Sequence, residues 1–159
     1  MSSLAQFISK EFVVLPMVAT DMPSAIEELL QPLRLHQILD PAEQSAETIL
    51  KRERRMSTAV GKGVALPQGL SNQVSDVALV IGIAPKGIDF KAGDGMLCHI
   101  FVLFIGPSEQ PDKHHKVLSR FTKLLSDGAL RSALIEAPTI DSVIEILAAW
   151  ERDDDDESL

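Results

Sequence analysis

The sequence predicts an α/β (α+β) fold: a mixed β-sheet sandwiched between helices, in three layers α/β/α. Three observations predict it. The elements run helix, strand, two helices, a block of strands, then three helices, which is not the strict alternation of a fully parallel doubly wound sheet. The run Met96 to Ile105, MLCHIFVLFI, is almost wholly apolar and reads as a central strand buried on both faces. The helical segments each carry one apolar stripe, as helices covering a sheet do.

Each element follows from local signals. Ser2 to Ile8 reads as a short helix capped by Ser2 or Ser3. Phe12 to Val18 is β-rich but interrupted by Pro16, which suits an edge strand. Thr20 or Asp21 caps a helix with Pro23 in its first turn, and Ala25, Ile26, Leu29, Leu30 and Leu33 form its stripe. Asp40-Pro41 predicts a second helix running to about Arg55, with Ala42, Ala46, Ile49 and Leu50 inward. The charge run Lys51 to Arg55 reads as its solvated end. Asp76 to Ala84 is a strand, Pro85-Lys86-Gly87 a turn, and Ala92-Gly93-Asp94-Gly95 another. A helix follows from Pro111, broken at Asp127-Gly128. Ala129 to Glu136 is a short helix, and Thr139 or Asp141 caps the last one, whose apolar face is Val143, Ile144, Ile146, Leu147 and Trp150.

Composition narrows the function. With 159 residues the chain is long enough for one domain with a real core, here taken as residues 1–150. Residues 151–159 are set apart: Glu151 to Glu157 holds six acids against one arginine and reads as a frayed, solvated tail. Net charge is −8 with pI near 4.9, which argues against nucleic acid as a partner. One cysteine, Cys98, excludes an internal disulfide and fits a reducing compartment. No apolar run approaches the ~20 residues of a membrane helix, and no signal peptide is evident, so direct membrane insertion is not expected and a cytoplasmic location is. No P-loop, GxGxxG, CxxC or HExxH occurs, so neither a cofactor nor a metal is expected.

The functional signal lies in Ile49 to Asn72, ILKRERRMSTAVGKGVALPQGLSN. A charged helical pattern breaks at Ser57-Thr58, passes Gly61 and Gly63, enters a short apolar strand at Val64 to Leu66, and stops at Pro67-Gln68-Gly69. Glycines at this density suit a site wall, where other groups approach the backbone closely. Gln68 is the polar side chain at the strand's end.

These residues carry a resemblance. Arg52-Glu53, Ser57-Thr58, Gly61, Gly63 and Pro67-x-Gly69 resemble the enzyme IIA domain of the bacterial sugar phosphotransferase system, fructose/mannitol type, whose family includes the nitrogen-regulatory IIA proteins. Gly87-Ile88-Asp89-Phe90, Asp94-Gly95 and the segment Pro107…His114…Leu118 extend it over roughly residues 5 to 150. The resemblance implies a mixed sheet between helices. It implies a phosphoacceptor histidine at position 68, where this chain has Gln68, an accessory histidine at His114, and phosphate binding by Arg52, Ser57 and Thr58.

The chemistry at position 68 then decides the expectation. An imidazole accepts a phosphoryl group because one ring nitrogen attacks while a hydrogen bond fixes the other. The amide nitrogen of glutamine has a delocalised lone pair and no comparable nucleophilicity. The favoured reading is a IIA-like regulatory protein of nitrogen-regulatory type, blocked in phosphotransfer at position 68 and acting by protein–protein binding. Its partners would be a phosphocarrier protein or regulatory targets, and a homodimer is compatible with the sequence. The alternative is an active phosphocarrier that uses His114, or an active IIA bearing an engineered histidine-to-glutamine change. Whether the chain is an enzyme is left open. A further reading is an anion-binding module built on Arg52 and the glycine-rich loop. His115 reads as surface, His99 as a satisfied strand histidine, and Cys98 as a small buried hydrophobe.

Overall fold

The computed structural model describes residues 4–41 and 44–157. In chain order its strands and helices are β1 (Val13–Val14), α1 (Met22–Leu35), α2 (Ser45–Arg55), β2 (Ala59–Gly61), β3 (Val64–Ala65), β4 (Gln68–Ser71), β5 (Ala78–Ile88), β6 (Cys98–Pro107), α3 (His115–Leu124), α4 (Gly128–Glu136) and α5 (Ile140–Glu157). Short 3-10 turns occupy Leu4–Phe7 and Lys10–Phe12. The expected caps Ser2 and Ser3 lie outside the described residues.

β6 is the spine of a mixed sheet. It pairs antiparallel with β5 on one side, and parallel with β3 and then β4 on the other. β1 closes one edge, parallel to β5, and β2 closes the other as a hairpin with β3. Every residue of β6 except His99 is buried, as its apolar run requires. On one face Val64, Leu66, Ile100, Val102 and Phe104 pack against residues of α3, α4 and α5. On the other, Ala65, Phe101, Leu103 and Ile105 pack against α1 and Ile49 of α2. The expected three layers are therefore present, with helices on both faces of one mixed sheet.

α1 starts where its cap signal lies: the Asp21 carboxylate accepts from the Ser24 amide at 2.9 Å. Its expected stripe, Ala25 to Leu33, is buried. The helix ends at Leu35, and two residues on Gln37, at φ +62°, turns the chain out of the helical region.

Several boundaries differ from the sequence-based expectation. α2 opens at Ser45, not at Asp40-Pro41. The Asp40 amide donates to Gln73 Oε1 at 2.8 Å, which ties that residue to the loop after β4. Ala42 lies outside the described residues. Pro85-Lys86-Gly87 does not end β5 but forms an irregularity within it, between Ile83 and Ile88, with Gly87 at φ +79°. α3 starts at His115, because residues 111–114 form turns. The acidic run Glu151 to Glu157 lies in α5, which continues through Glu157, and Glu151 is buried. The 150/151 boundary therefore falls inside a helix.

β3 and β4 share one register against β6. Val64 faces Ile100 and Gln68 faces Phe104, so four steps on one side match four on the other. Between them the Pro67 carbonyl accepts from the Phe104 amide at 2.9 Å. Proline lacks only the donor, so the ladder passes through it. Gln68 thus opens a strand segment and does not terminate one.

Candidate functional site: the Gln68–His114 pair

Alternation along the strand decides where Gln68 looks. Val64 and Leu66 face the α3–α5 layer, and Gln68, two residues on, shares their face. Gly69 faces the other way, where a Cβ would stand 2.9 Å from Ile49 of α2. Glycine is required there for α2 to approach the strand.

His114 occupies the N-cap position of α3 without making a capping bond, and is buried, 3 % exposed. Its Nε2 lies 3.2 Å from Gln68 Oε1, and the Gln68 amide donates to the Leu66 carbonyl at 3.1 Å. That second bond fixes the amide orientation, since only its nitrogen can donate to Leu66. Oε1 therefore faces His114 and can only accept, so His114 Nε2 carries the proton. Nδ1 is then a bare lone pair, buried without a hydrogen-bond partner among the described residues. A Cβ at Gly106 would stand 2.8 Å from Nδ1. Burial first, then the nearby charges of His115 and Arg52, hold the imidazole below its usual proton affinity, in agreement with the neutral ring that this bonding requires.

Arg52 comes from α2, in the opposite layer, and its side chain is exposed. Its charge reaches His114, but no hydrogen bond joins them among the described residues. Ser57 and Thr58 are not aimed at the pair. Ser57 Oγ donates to the Phe90 carbonyl at 2.8 Å and accepts from the Ala59 amide. The Thr58 hydroxyl donates to Glu53 Oε1, and its amide donates to Glu53 Oε2 at 2.9 Å. In this arrangement both hydroxyl protons serve the loop. The structure thus joins Gln68 and His114, brings Arg52 within electrostatic reach, and assigns Ser57 and Thr58 local bonds.

Glu53 is the residue that sequence reasoning missed. It was expected within a solvated charge run but is 3 % exposed. The available signal was its spacing: it lies one helical turn after buried Ile49, hence on the same face. Burial, the largest influence, raises the affinity of its carboxyl for a proton, against the bonds from Thr58 and the charge of Arg52. The sign follows from proton linkage. A carboxyl whose folded pKa is raised binds protons more tightly in the native state, so rising pH costs stability from the unfolded value up to the folded one. Relative to Glu53→Gln, the native chain should lose stability as pH rises above 4.5. Urea midpoints of both proteins between about pH 4 and about pH 8 read this difference, and parallel curves would refute it.

Other polar residues have structural partners. Asp94 accepts from the Lys62 and Met96 amides at 2.8 and 3.0 Å, holding the β2–β3 hairpin where Lys62 adopts φ +58°. His99 Nδ1 contacts the Ala84 carbonyl at 2.9 Å. Cys98 is buried and its thiol pKa is pushed up to about 12, chiefly by burial, which leaves it unreactive. Among the described residues no His, Cys, Asp or Glu group could hold a metal, and no helix is long and apolar enough to cross a membrane.

Known proteins share this architecture. The fructose-specific EIIABC component of Bacillus subtilis is 27 % identical over 144 residues, which cover 91 % of this chain but 23 % of that protein. The chain therefore spans about a quarter of that relative's length. A nitrogen regulatory protein of Bradyrhizobium diazoefficiens is 29 % identical over 102 residues, covering 64 % of this chain and 67 % of that one. The crystal structure of nitrogen regulatory protein IIA-Ntr from Neisseria meningitidis superposes with a TM-score of 0.77 at 23 % identity, covering 91 % of this chain and 98 % of that one. The model of the phosphoenolpyruvate-dependent sugar phosphotransferase system EIIA 2 family matches residues 6–150. With that match spanning most of its length, the chain belongs to the EIIA type 2 family of the phosphotransferase system.

Proposed function

We propose that this chain is a regulatory IIA protein of the nitrogen-regulatory type that does not accept a phosphoryl group at position 68 and acts by binding other proteins. The observation that carries this reading is the amide at position 68, bonded to His114 on one side and to the Leu66 carbonyl on the other. A phosphoryl acceptor needs a free, basic nitrogen pair, and the Gln68 amide nitrogen is neither basic nor free. Its neutral side chain fixes the surface in the equivalent of an unphosphorylated state, so partner binding does not respond to phosphorylation. The partners are a phosphocarrier protein or regulatory targets, and the setting is the cytoplasm.

His114 gains no support as a substitute acceptor. Its Nε2 carries the proton given to Gln68, and its Nδ1 faces Gly106 with no solvent access. Neither lone pair has an open line to an incoming phosphorus.

The test is direct. The protein is incubated with a phosphorylated phosphocarrier protein and weighed intact. No adduct of about 80 Da, the mass of a phosphoryl group, is expected. An acid-labile, stoichiometric adduct would overturn the proposal.

A further inference from the structure

A groove of about 930 Å³ runs beside α3, between α3, the N-terminal 3-10 turn and the start of β5. Its floor is apolar, formed by Leu4, Phe7, Val77 and Val117. Its rim is basic, although the chain as a whole carries a net charge of −8. Three of the rim cations are already paired. Lys113 lies 3.6 Å from Asp76, Arg120 lies 3.2 Å from Glu151, and Lys123 lies 3.3 Å from Asp154. Lys116 is exposed and has no ion-pair partner among the described residues.

We propose that this groove binds a small amphipathic anion, a carboxylate or sulfonate with an apolar body, with its head on Lys116 and its body on Val77, Val117 and Phe7. Volume and lining both favour it. Ligand clefts run to ~300–1,000 Å³ with mostly apolar walls and few polar groups, and a lone cation above an apolar floor selects an anionic head joined to an apolar body. A free anion gains little from an exposed lysine, so the apolar body must supply most of the affinity. The ligand would also touch His115, which lines the groove. The His115 ring meets that of His114 edge-on with centroids 4.9 Å apart. Occupancy is thereby relayed to the Gln68–His114 pair through one side chain.

The experiment uses the full chain and 8-anilinonaphthalene-1-sulfonate as fluorescent probe, with octanoate as competitor. The expected result is saturable binding at one site, displaced by octanoate. Lys116→Glu and Val77→Glu should each weaken it at least tenfold. Lys116 is exposed and Val77 half-buried, and matching thermal unfolding curves show that the variants fold. In nuclear magnetic resonance spectra the probe should shift the amides of Lys116 and Val77 and the imidazole signals of His115 and His114. Leu35, on the far layer, should not move. Absence of saturable binding overturns the proposal, as does binding insensitive to both variants or shifts centred on the exposed Met96–Leu97 patch. Binding of an acidic amphipathic peptide in place of both small anions overturns it too and makes the groove a protein-docking surface.

Discussion

Gln68→His is expected to be phosphorylated stoichiometrically by a phosphorylated phosphocarrier protein, where the parent chain is expected to take up no phosphoryl group. The Leu66 carbonyl, which now accepts from the Gln68 amide at 3.1 Å, can accept one imidazole N–H and so fix the tautomer. The other ring nitrogen is then left with its lone pair on the side of His114 and Arg52. In the transfer, a P–N bond to residue 68 forms as the bond from phosphorus to the phosphocarrier protein breaks, and the phosphocarrier's leaving atom keeps that bond's electron pair. His114 Nε2–H, now given to Gln68 at 3.2 Å, becomes a hydrogen-bond donor to the incoming phosphoryl oxygens, with the Arg52 charge nearby. The change is one of reaction path and not of degree, because the amide offers no nucleophile at all. Intact mass and lability in acid read it. Failure of Gln68→His to take up the group, in a protein that unfolds like the parent, would mean that the surrounding site is no longer competent and that more than one residue separates this chain from a working relay.

Glu151→Ala is expected to cause the largest loss of stability, about 3–5 kcal/mol, the usual cost of removing one partner from a buried charged pair. The Glu151 carboxylate receives the Leu4 amide at 2.9 and 3.1 Å and Arg120 Nε at 3.2 Å. Its side chain is 8 % exposed, and that of Arg120 is 15 % exposed. One carboxylate thus ties α5 to both the N-terminal turn and α3. Its deletion leaves a guanidinium largely out of water with a principal partner gone. Against a typical domain stability of ~5–15 kcal/mol, the urea midpoint should fall by a large fraction. Glu151→Gln should cost less, since its amide oxygen still accepts from Leu4 while the charge pairing is lost. A loss below about 1 kcal/mol in the alanine variant would place the pair among ordinary surface bridges.

Both buried glutamates show why some of this structure was legible in the sequence and some was not. The α1 stripe, the Asp21 cap and the β6 run were legible because residue type and period agree there, and the structure follows them. Glu53 and Glu151 were hidden because charge outweighed position in the reading. Each lies four residues after a buried apolar residue, Ile49 and Leu147 respectively, so helical period alone places both inward. The continuity of β5 through Pro85-Lys86-Gly87 was hidden because turn residues also serve bulges. The pairing of Gln68 with His114 was anticipated only through family resemblance: no local rule joins residues 46 positions apart. Ser57 and Thr58 had the right chemistry for binding an anion, but Thr58 is engaged by the buried carboxylate of Glu53 five residues back, whose burial was not read, and Ser57 by the Phe90 carbonyl from a distant part of the chain.

The unbroken register from Val64 to Ser71 has a consequence for how such a protein changes over time. Peptide groups bonded to β6 hold residue 68 in place, whatever its side chain. The ladder that fixes this position is made of main-chain groups, so selection can rewrite the side chain there one codon at a time without redrawing the surface around it.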